Sequence, residues 1–378
     1  MKLAIHDLLD GGTPDGAAID AFLRDRSFPL IEDDRATFVF HGNADEVYLR
    51  HWIYGLESAQ PFQRVPDTEF WYLVHELPPG SRVEYKIEVI RGDRHEWIRD
   101  PFNPNLAQDP FGANSVAQGV GYERPGWSQV DRESRAGRTE ELWLHQTPFG
   151  QPRRVTMYLP ARMRPTRRYR LLVVHDGGDY LRYAALKEVL DNLIHRLEMA
   201  PVIAALIHPG DRLVEYPDDP RHAAFIAESL LPALEEQYPL MPDASARCLM
   251  GASFGAVASL ATAWRHPGMF GRLLLQSGSF AFTDIGHHKR GPAFDRVVEF
   301  VNAFRDAPGR PSERVYLSCG MYESLIYENR SMVPLLQTTG MAVRYEWTRD
   351  GHNWENWRDR LQAGLSWLFP GPLWMVYE

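Results

Sequence analysis

Ser253 stands between two glycines, Gly251 and Gly255, in a G-x-S-x-G arrangement. An apolar run, 248–250, precedes this arrangement and an amphipathic segment, 254–265, follows it, so the serine falls between a predicted strand and a predicted helix. A turn this tight leaves no room for side chains two positions either side of the serine, and it lifts the hydroxyl above the sheet edge. The pattern predicts a nucleophile elbow with Ser253 as the nucleophile of an acyl transfer.

A serine hydroxyl is a weak nucleophile unless a base lies within hydrogen-bond reach. In the α/β-hydrolase arrangement to which such an elbow belongs, the chain order is serine, acid, histidine. His352 follows the last predicted strand, 343–346, and precedes the last predicted helix, 355–368. Gly351 beside it permits a tight approach. We therefore expect His352 to be the catalytic base.

The acid should follow the strand before the last one. Glu323 lies in the loop beyond that strand, 315–317. A carboxylate there would hold the imidazole in one tautomer and stabilise the imidazolium. The alternative for Glu323 is an acid at a helix N-terminus, favoured by the helix dipole. Glu328 is the alternative triad acid, whereas Asp350 is too close in sequence to His352 to be the choice.

An oxyanion hole needs two backbone N–H groups that face the oxygen on which negative charge develops. One is expected from Phe254, directly after the nucleophile. The other is expected from the glycine-containing loop after strand 170–175, with Gly178 as the first choice and Gly177 as the second. Asp176 in the same loop is interpreted as a residue that pins the loop.

The elements that must position these residues alternate between strand and helix from residue 139 onward. The unbroken apolar centre of 170–175 is typical of a parallel strand covered on both faces. The alternation predicts an α/β fold with a doubly wound, mostly parallel sheet. The predicted strands are 154–159, 170–175, 202–207, 247–250, 273–275, 315–317 and 343–346, and the predicted helices are 183–198, 221–237, 254–265 and 355–368.

The first part of the chain has a different period. After a helical prelude, apolar residues alternate with a period of two, and short strands without helices between them indicate a β-sandwich. A Pro-, Gly- and Asn-rich stretch, 100–127, and a charged connector follow. We therefore predict an N-terminal β-sandwich domain, 1–130, and an esterase domain, 131–378. The predicted sandwich strands are 36–40, 46–50, 70–74, 83–89 and 95–98.

Composition excludes some classes of partner. The formal net charge of −9 disfavours a nucleic-acid binder, which needs a basic face. Cys248 and Cys319 lie in apolar runs and are expected to be small buried hydrophobes, and metal-ligand spacing is absent. The start of the chain does not read as a secretory signal, and no apolar run is long enough for a membrane span. We expect a cytoplasmic enzyme without cofactor or membrane partner, and no feature indicates an oligomeric state.

Six motifs occur in an order that resembles a known family. They are VHDGGDY at 174–180, RLVEY at 212–216, ESLLP at 228–232, GASFG at 251–255, QSGS at 276–279 and GHNWENWR at 351–358. They resemble the putative-esterase branch of the α/β-hydrolases, and within it the enterochelin esterase family, over 139–370. The first domain is similar to that family's N-terminal sandwich, which is related to early-set, immunoglobulin-like modules. One departure is Ala256, where the family usually has a second glycine; alanine is small enough to keep the elbow intact.

The resemblance implies a serine esterase acting on a catecholate siderophore, such as enterochelin or its iron complex, through a Ser-His-Glu triad and an acyl-enzyme. Such a small-molecule substrate is anionic and aromatic, so its pocket should offer arginine donors and flat apolar walls. Arg212 and Trp354 are the expected substrate-binding residues. The alternative for Arg212 is a surface ion pair with Asp211, Glu215 or Asp218.

A second function is compatible with the sequence. The enzyme could be a carbohydrate-ester esterase, acting on acetyl or feruloyl groups, whose N-terminal domain is a glycan-binding module. Trp52, Trp71 and Trp97 could form a sugar-stacking platform, although aromatic residues in a β-sandwich more often belong to the core.

Overall fold

The computed structural model describes residues 2–24, 26–282 and 290–372 of the chain. The chain divides into two compact units. The first comprises Met1–Glu123 and two short segments from later in the chain, Met321–Ser324 and Thr348–Asn353. The second comprises Arg124–Gly320, Leu325–Trp347 and Trp354–Glu378. The sequence analysis predicted a single boundary near residue 130. In the structure, the segments that contain Glu323 and His352 belong to the N-terminal unit.

The first unit is a β-sandwich with helices on one outer face. Its elements are α1 (Ala4–Leu9), α2 (Gly16–Leu23), β1 (Leu30–Glu32), β2 (Arg35–His41), β3 (Glu46–His51), β4 (Ala59–Pro61), β5 (Gln63–Arg64), β6 (Phe70–Glu76), β7 (Arg82–Arg91), β8 (Arg94–Ile98), β9 (Leu106–Asp109) and β10 (Gly112–Gln118). One antiparallel sheet has the order β1-β2-β6-β5, and the other has the order β4-β3-β7-β10-β9 with β8 beside β7.

The two sheets share one core, and the alternation of β2 explains the layering. Phe38 and Phe40 face the second sheet, where the ring of Phe38 meets Tyr85 edge to face with 5.0 Å between centroids. Val39 points to the opposite face and packs with Phe22 of α2. Strand β2 is therefore buried on both faces, between the second sheet and the helices. The predicted β-sandwich is confirmed.

The sequence analysis named no strand in the Pro-, Gly- and Asn-rich stretch 100–127, which contains β9 and β10. β10 carries Asn114, Ser115 and Gln118, which have low strand propensity, but it pairs with β7 on one side and β9 on the other. Tertiary pairing outweighs the local preference here.

The second unit is built on an eight-stranded sheet with the order β11-β12-β14-β13-β15-β16-β17-β18, and the strands from β14 to β17 run parallel. The strands are β11 (Arg138–Leu144), β12 (Arg153–Leu159), β13 (Arg170–Val174), β14 (Val202–Ile207), β15 (Arg247–Ala252), β16 (Arg272–Gln276), β17 (Arg314–Gly320) and β18 (Ala342–Thr348). The helices are α3 (Gly177–Tyr183), α4 (Leu186–His195), α5 (Arg212–Glu215), α6 (Pro220–Ala224), α7 (Leu231–Gln237), α8 (Phe254–Arg265), α9 (Ala293–Asp306), α10 (Ile326–Thr338), α11 (Trp354–Asp359) and α12 (Leu361–Leu368).

Apolar clusters cover both faces of this sheet, which explains the unbroken apolar runs of its central strands. The predicted doubly wound α/β sheet is confirmed, and α8 has the predicted bounds. The predicted helix 221–237 consists of α6 and α7 joined by a π-helical segment, Phe225–Leu230. The predicted glycine loop after β13 is the start of a helix, α3, which is followed by the left-handed Ala185.

Cys248 and Cys319 are buried, as expected. Across the described part of the chain, every helix is too short or too polar to span a bilayer.

Candidate active site

The turn between β15 and α8 holds Ser253 in an unusual backbone conformation, with φ 57° and ψ −122°. A Cβ atom on Gly251 would lie 2.4 Å from the carbonyl carbon and oxygen of Gly255, and one on Gly255 would lie 3.1 Å from Cβ of His175. The Ser253 N–H donates to Gln276 O at 2.9 Å, which ties the turn to the end of β16. The predicted strand–turn–helix context of Ser253 is therefore confirmed. Close packing requires glycine at position 251 and leaves little room for a side chain at position 255.

The Ser253 hydroxyl has a polar neighbour to which the sequence analysis assigned no role. Oγ of Ser279 lies 3.2 Å from Oγ of Ser253, and the Ser279 N–H donates to Ser253 O at 3.3 Å. Asn329 on α10 fixes this segment, because its side chain accepts from Gly278 N at 3.0 Å and donates to Gly278 O at 2.8 Å. The QSGS motif at 276–279 was the feature of the sequence that could have identified Ser279 as a neighbour of Ser253.

Two helix N-termini begin beside each other at the edge where β13 and β15 end. Phe254 is the first residue of α8, and Gly177 and Gly178 are the first two residues of α3. His175 N donates to Met250 O at 2.8 Å, which joins the two strand ends. First-turn N–H groups lack intrahelical partners and suit an anionic oxygen. A Cβ on Gly177 would lie 2.3 Å from Cβ of Leu206, so this glycine has a packing role, and the oxyanion roles of Phe254 and Gly178 stay predictions.

Asp176 and Arg212 form a partly buried ion pair next to the elbow. Arg212 Nε lies 3.0 and 2.9 Å from the two carboxylate oxygens of Asp176, and its Nη2 lies 2.9 Å from Oδ2. Burial raises the pKa of Asp176, and the Arg212 guanidinium opposes this by favouring the charged form. The guanidinium carbon lies 5.7 Å from the ring centroid of Phe254 and 5.5 Å from that of Tyr216.

Each of the three carboxylates considered as an alternative ion-pair partner of Arg212 contacts another residue. Glu215 pairs with Arg153, and Asp218 pairs with Arg265. Asp211 accepts from Leu213 N at the start of α5.

A buried pair of histidines lies beneath the elbow, and the sequence analysis assigned it no role. Nε2 of His175 lies 3.0 Å from Nε2 of His222, while Nδ1 of His175 lies 3.0 Å from both Met250 O and Ser259 Oγ. Burial lowers the pKa of His175 to about 4 and that of His222 well below its usual value, so both rings are neutral at pH 7. Since Met250 O only accepts, we assign the proton of His175 to Nδ1 and that of the shared bond to His222.

The acid and base predicted from the sequence meet in the first unit. Nδ1 of His352 lies 2.6 Å from Oε2 of Glu323, whose side chain is 1% exposed. The two segments that carry them, the acid loop (Met321–Ser324) and the base loop (Thr348–Asn353), are joined by backbone hydrogen bonds from Met321 N to Thr348 O and from Tyr322 N to Asp350 O. A carboxylate on Nδ1 leaves Nε2 as the acceptor that a general base requires.

The competing acids have other partners. Glu328 pairs with Arg290 at 2.6 Å, and Asp350 pairs with Arg82 at 3.3 Å. The geometry favours Glu323 over Glu328 as the partner of His352. Ser253 belongs to the second unit, and its action with His352 stays a prediction.

The predicted aromatic residues separate into buried and exposed groups. Trp354 is 8% exposed and packs against Tyr180 and Trp357, with ring centroids 5.2 and 4.7 Å away, so its contacts are those of a core residue and its substrate role stays a prediction. In the sandwich, Trp71 is a core residue, whereas Trp52 and Trp97 are about half exposed.

A parallel sheet with a serine in a glycine-flanked elbow between strand and helix defines an α/β-hydrolase. The sequence profile described as putative esterase matches residues 147–368, and the chain belongs to this family. It is a carboxylic ester hydrolase related to the enterochelin esterases, as the sequence motifs indicated.

Individual relatives match more of the chain than the family profile does. The chain is 24% identical over 355 residues to the iron(III) enterobactin esterase of Escherichia coli O6:H1, with 84% of this chain and 85% of the relative covered. The crystal structure of the enterobactin esterase from Shigella flexneri, obtained in the presence of enterobactin, has 21% identity and a TM-score of 0.73, with 92% of this chain and 97% of that chain covered. A ferulic acid esterase structure has 19% identity and a TM-score of 0.54, covering 62% of this chain and 98% of its own.

The packing at the elbow predicts the effect of one added methyl group. Gly251→Ala should lower kcat by about 100-fold, because the new Cβ collides with the backbone of α8 and displaces Ser253. The measurement is steady-state hydrolysis of p-nitrophenyl acetate, with the melting temperature recorded in parallel. Gly126→Ala is the matched control, since no atom lies within 4 Å of its added Cβ. Full activity in Gly251→Ala would contradict the packing argument.

Proposed function

We propose that this esterase hydrolyses the ester bonds of a catecholate siderophore, such as the trilactone enterochelin or its iron complex. The observation that carries the proposal is the extent of the match to iron(III) enterobactin esterases, which covers 84% of the chain and therefore includes sandwich residues as well as the hydrolase sheet. The ferulic acid esterase structure matches a smaller part, 62% of the chain. Iron in this proposal is part of the substrate.

The proposed chemistry is a two-step acyl transfer. Oγ of Ser253 attacks the ester carbonyl while Nε2 of His352 takes its proton, and the N–H groups of Phe254 and Gly178 stabilise the oxyanion. When the tetrahedral intermediate collapses, the C–O bond of the ester breaks and the imidazolium protonates the leaving alkoxide oxygen of the lactone serine, which leaves an acyl-enzyme on Ser253. Water, activated by His352, releases the acid product and restores the hydroxyl. The 2.6 Å contact of Glu323 with Nδ1 of His352 supports this assignment of acid and base.

Arg212 is proposed to recognise the anionic catecholate. Its Nε edge is occupied by Asp176, and among the described residues Nη1 has no hydrogen-bond acceptor. The side chain is 34% exposed and lies over the ring of Phe254, the residue that follows the nucleophile. A guanidinium with one free edge binds oxygen anions and stacks on aromatic rings. The remaining edge suits a catecholate next to the elbow.

A carbohydrate ester with the sandwich as a glycan-binding module is the second candidate. The half-exposed Trp52 and Trp97 favour it, but Arg50 already lies over the Trp97 ring at 5.3 Å and Trp71 is buried. Binding of xylan or glycogen to the full protein would support the glycan module. The cytoplasmic location expected from the sequence stays a prediction.

The triad is tested with a panel of esters that includes enterochelin, feruloyl and acetyl sugar esters and p-nitrophenyl acetate. Ser253→Ala and His352→Ala should each lower kcat by at least about 10³-fold, and the double variant should lose no more than either, because the two residues act as a unit. Glu323→Gln should cost less, and Glu328→Gln should have a mild effect. A larger loss at Glu328 than at Glu323 would reverse the choice of acid, and a preference for sugar esters would reverse the choice of substrate.

The role of Arg212 is tested in an Asp176→Asn background, because removal of Arg212 alone would leave the buried carboxylate of Asp176 unpaired. Asp176→Asn/Arg212→Ala should raise KM for an anionic catecholate ester by about tenfold relative to Asp176→Asn alone, because one charge-assisted contact is lost. The change for neutral p-nitrophenyl acetate should be much smaller. Equal losses on both esters would mean that Arg212 supports the loop and does not recognise the catecholate.

A further inference from the structure

The base loop has no apolar anchor of its own. Its sequence, Thr348 to Asn353, consists of Thr, Arg, Asp, Gly, His and Asn. Hydrophobic burial therefore cannot hold the loop, and the position of His352 must depend on polar contacts. The loop belongs to the compact body of the first unit, which supplies such contacts.

Arg82, the first residue of β7, supplies contacts on both sides of the histidine. Its side chain is 2% exposed. Its Nη1 lies 3.3 Å from Oδ1 of Asp350 and 2.9 Å from Oδ1 of Asn353. Its backbone N–H donates to Arg349 O at 2.9 Å. One sandwich residue thus binds the chain before and after His352.

Asp350, which pairs with Arg82, forms further hydrogen bonds within the base loop and to the acid loop. Its Oδ1 also accepts from Gly351 N at 2.7 Å and from Asn353 Nδ2 at 2.8 Å. Its carbonyl oxygen accepts from Tyr322 N at 3.1 Å, in the acid loop. A displacement of Asp350 would therefore move both the acid loop and the base loop.

The charges around this contact make it depend on the arginine. Burial raises the pKa of Asp350 to about 6, and the Arg82 guanidinium counters this by favouring the carboxylate. Arg82 also lies 3.3 Å from Glu84 on the same strand, and Glu84 accepts from Asn114 of β10. Arg82 thus pairs with one carboxylate of the sandwich and one of the base loop. Loss of its charge would leave these two carboxylates without the cation that they share.

We propose that Arg82 is a positioning residue for His352, through which the sandwich fixes the base loop in its reactive geometry. The proposal rests on the proposed function in that His352 is the base. Arg82 itself does not touch the reacting atoms. Its loss should therefore lower kcat and leave KM for a small ester nearly unchanged, since misplacement of a catalytic group affects the chemical step more than binding.

The experiment compares Arg82→Met, Arg82→Lys and Arg82→Ala with Arg50→Met in the full-length protein. Arg50 is the matched control, because it forms a partly buried ion pair with Glu88 between β3 and β7. The substrate is p-nitrophenyl acetate, and kcat, KM and the melting temperature are recorded for each variant. Arg82→Ala is also assayed with added guanidinium chloride at millimolar concentration, with sodium chloride as the salt control.

We expect Arg82→Met to lower kcat by about 10- to 100-fold with KM within about twofold. Arg82→Lys should show a smaller loss, because an ammonium group retains the charge but reaches fewer acceptors. Guanidinium should raise kcat of Arg82→Ala several-fold and leave the wild type and Arg50→Met unchanged.

Unchanged kcat in Arg82→Met, or an equal loss in Arg50→Met, would overturn the proposal. If Arg82→Met does not fold, Arg82→Lys and the guanidinium rescue decide: wild-type kcat in the lysine variant, or absence of rescue in a folded alanine variant, would overturn it. Retained activity in His352→Ala would instead overturn the proposed function, so the two failures are distinguishable.

Discussion

The close approach of α8 to β15 is the constraint on which the hydrolase unit depends. The backbone of Gly255 lies where a side chain on Gly251 would be, and Ser253 between them has a positive φ of 57°. A non-glycine residue in such a conformation costs roughly 1–3 kcal/mol and persists only where the surroundings determine it. Here the surroundings are a helix buried along nearly its whole length and a hydrogen bond from Ser253 N to the end of β16.

The polar residues beneath the elbow fit the same constraint. The contact of His175 with Ser259 joins the end of β13 to α8. The carboxylate of Asp176 accepts from Nε of Arg212, and the backbone N–H of Asp176 donates to the Tyr216 hydroxyl. Buried polar groups that are mutually satisfied hold one arrangement and disfavour others. The neutral state of the two buried histidines avoids a charge below the nucleophile. These hydrogen bonds of His175, Asp176 and Ser259 thereby orient the first turns of α3 and α8.

The residues of the proposed triad belong to both compact units, whereas the elbow lies within the second unit. Glu323 and His352 follow β17 and β18 in the chain, yet their loops belong to the compact unit of the sandwich. Tyr322 O accepts from Tyr54 N, and its hydroxyl lies 2.7 Å from Ser81 Oγ. Short polar loops lack the apolar area that would fix them on their own sheet. The sandwich supplies hydrogen-bond donors to these loops instead, among them Arg82 and the N–H of Tyr54.

The sequence by itself determined the features that are local or periodic. The apolar runs predicted the strands of the parallel sheet, and the glycines around Ser253 predicted the elbow, because strand burial and a tight turn each leave a signal within a few residues. Chain order indicated Glu323 as the acid with Glu328 as the alternative, and the structure places Glu323 beside His352. Strand β10 was missed because its polar residues carry no strand signal without their partners.

Only the tertiary structure decided which distant polar residues meet. Arg82 and Asp350 are 268 positions apart, Asp176 and Arg212 are 36 apart, and His175 and His222 are 47 apart. An ion pair or a histidine pair has no period and no fixed spacing, so either partner looks like an ordinary surface residue in the sequence. The fold brings the partners together because burial of apolar strands and helices sets the positions of the loops, and a buried charge is then stable only beside its complement.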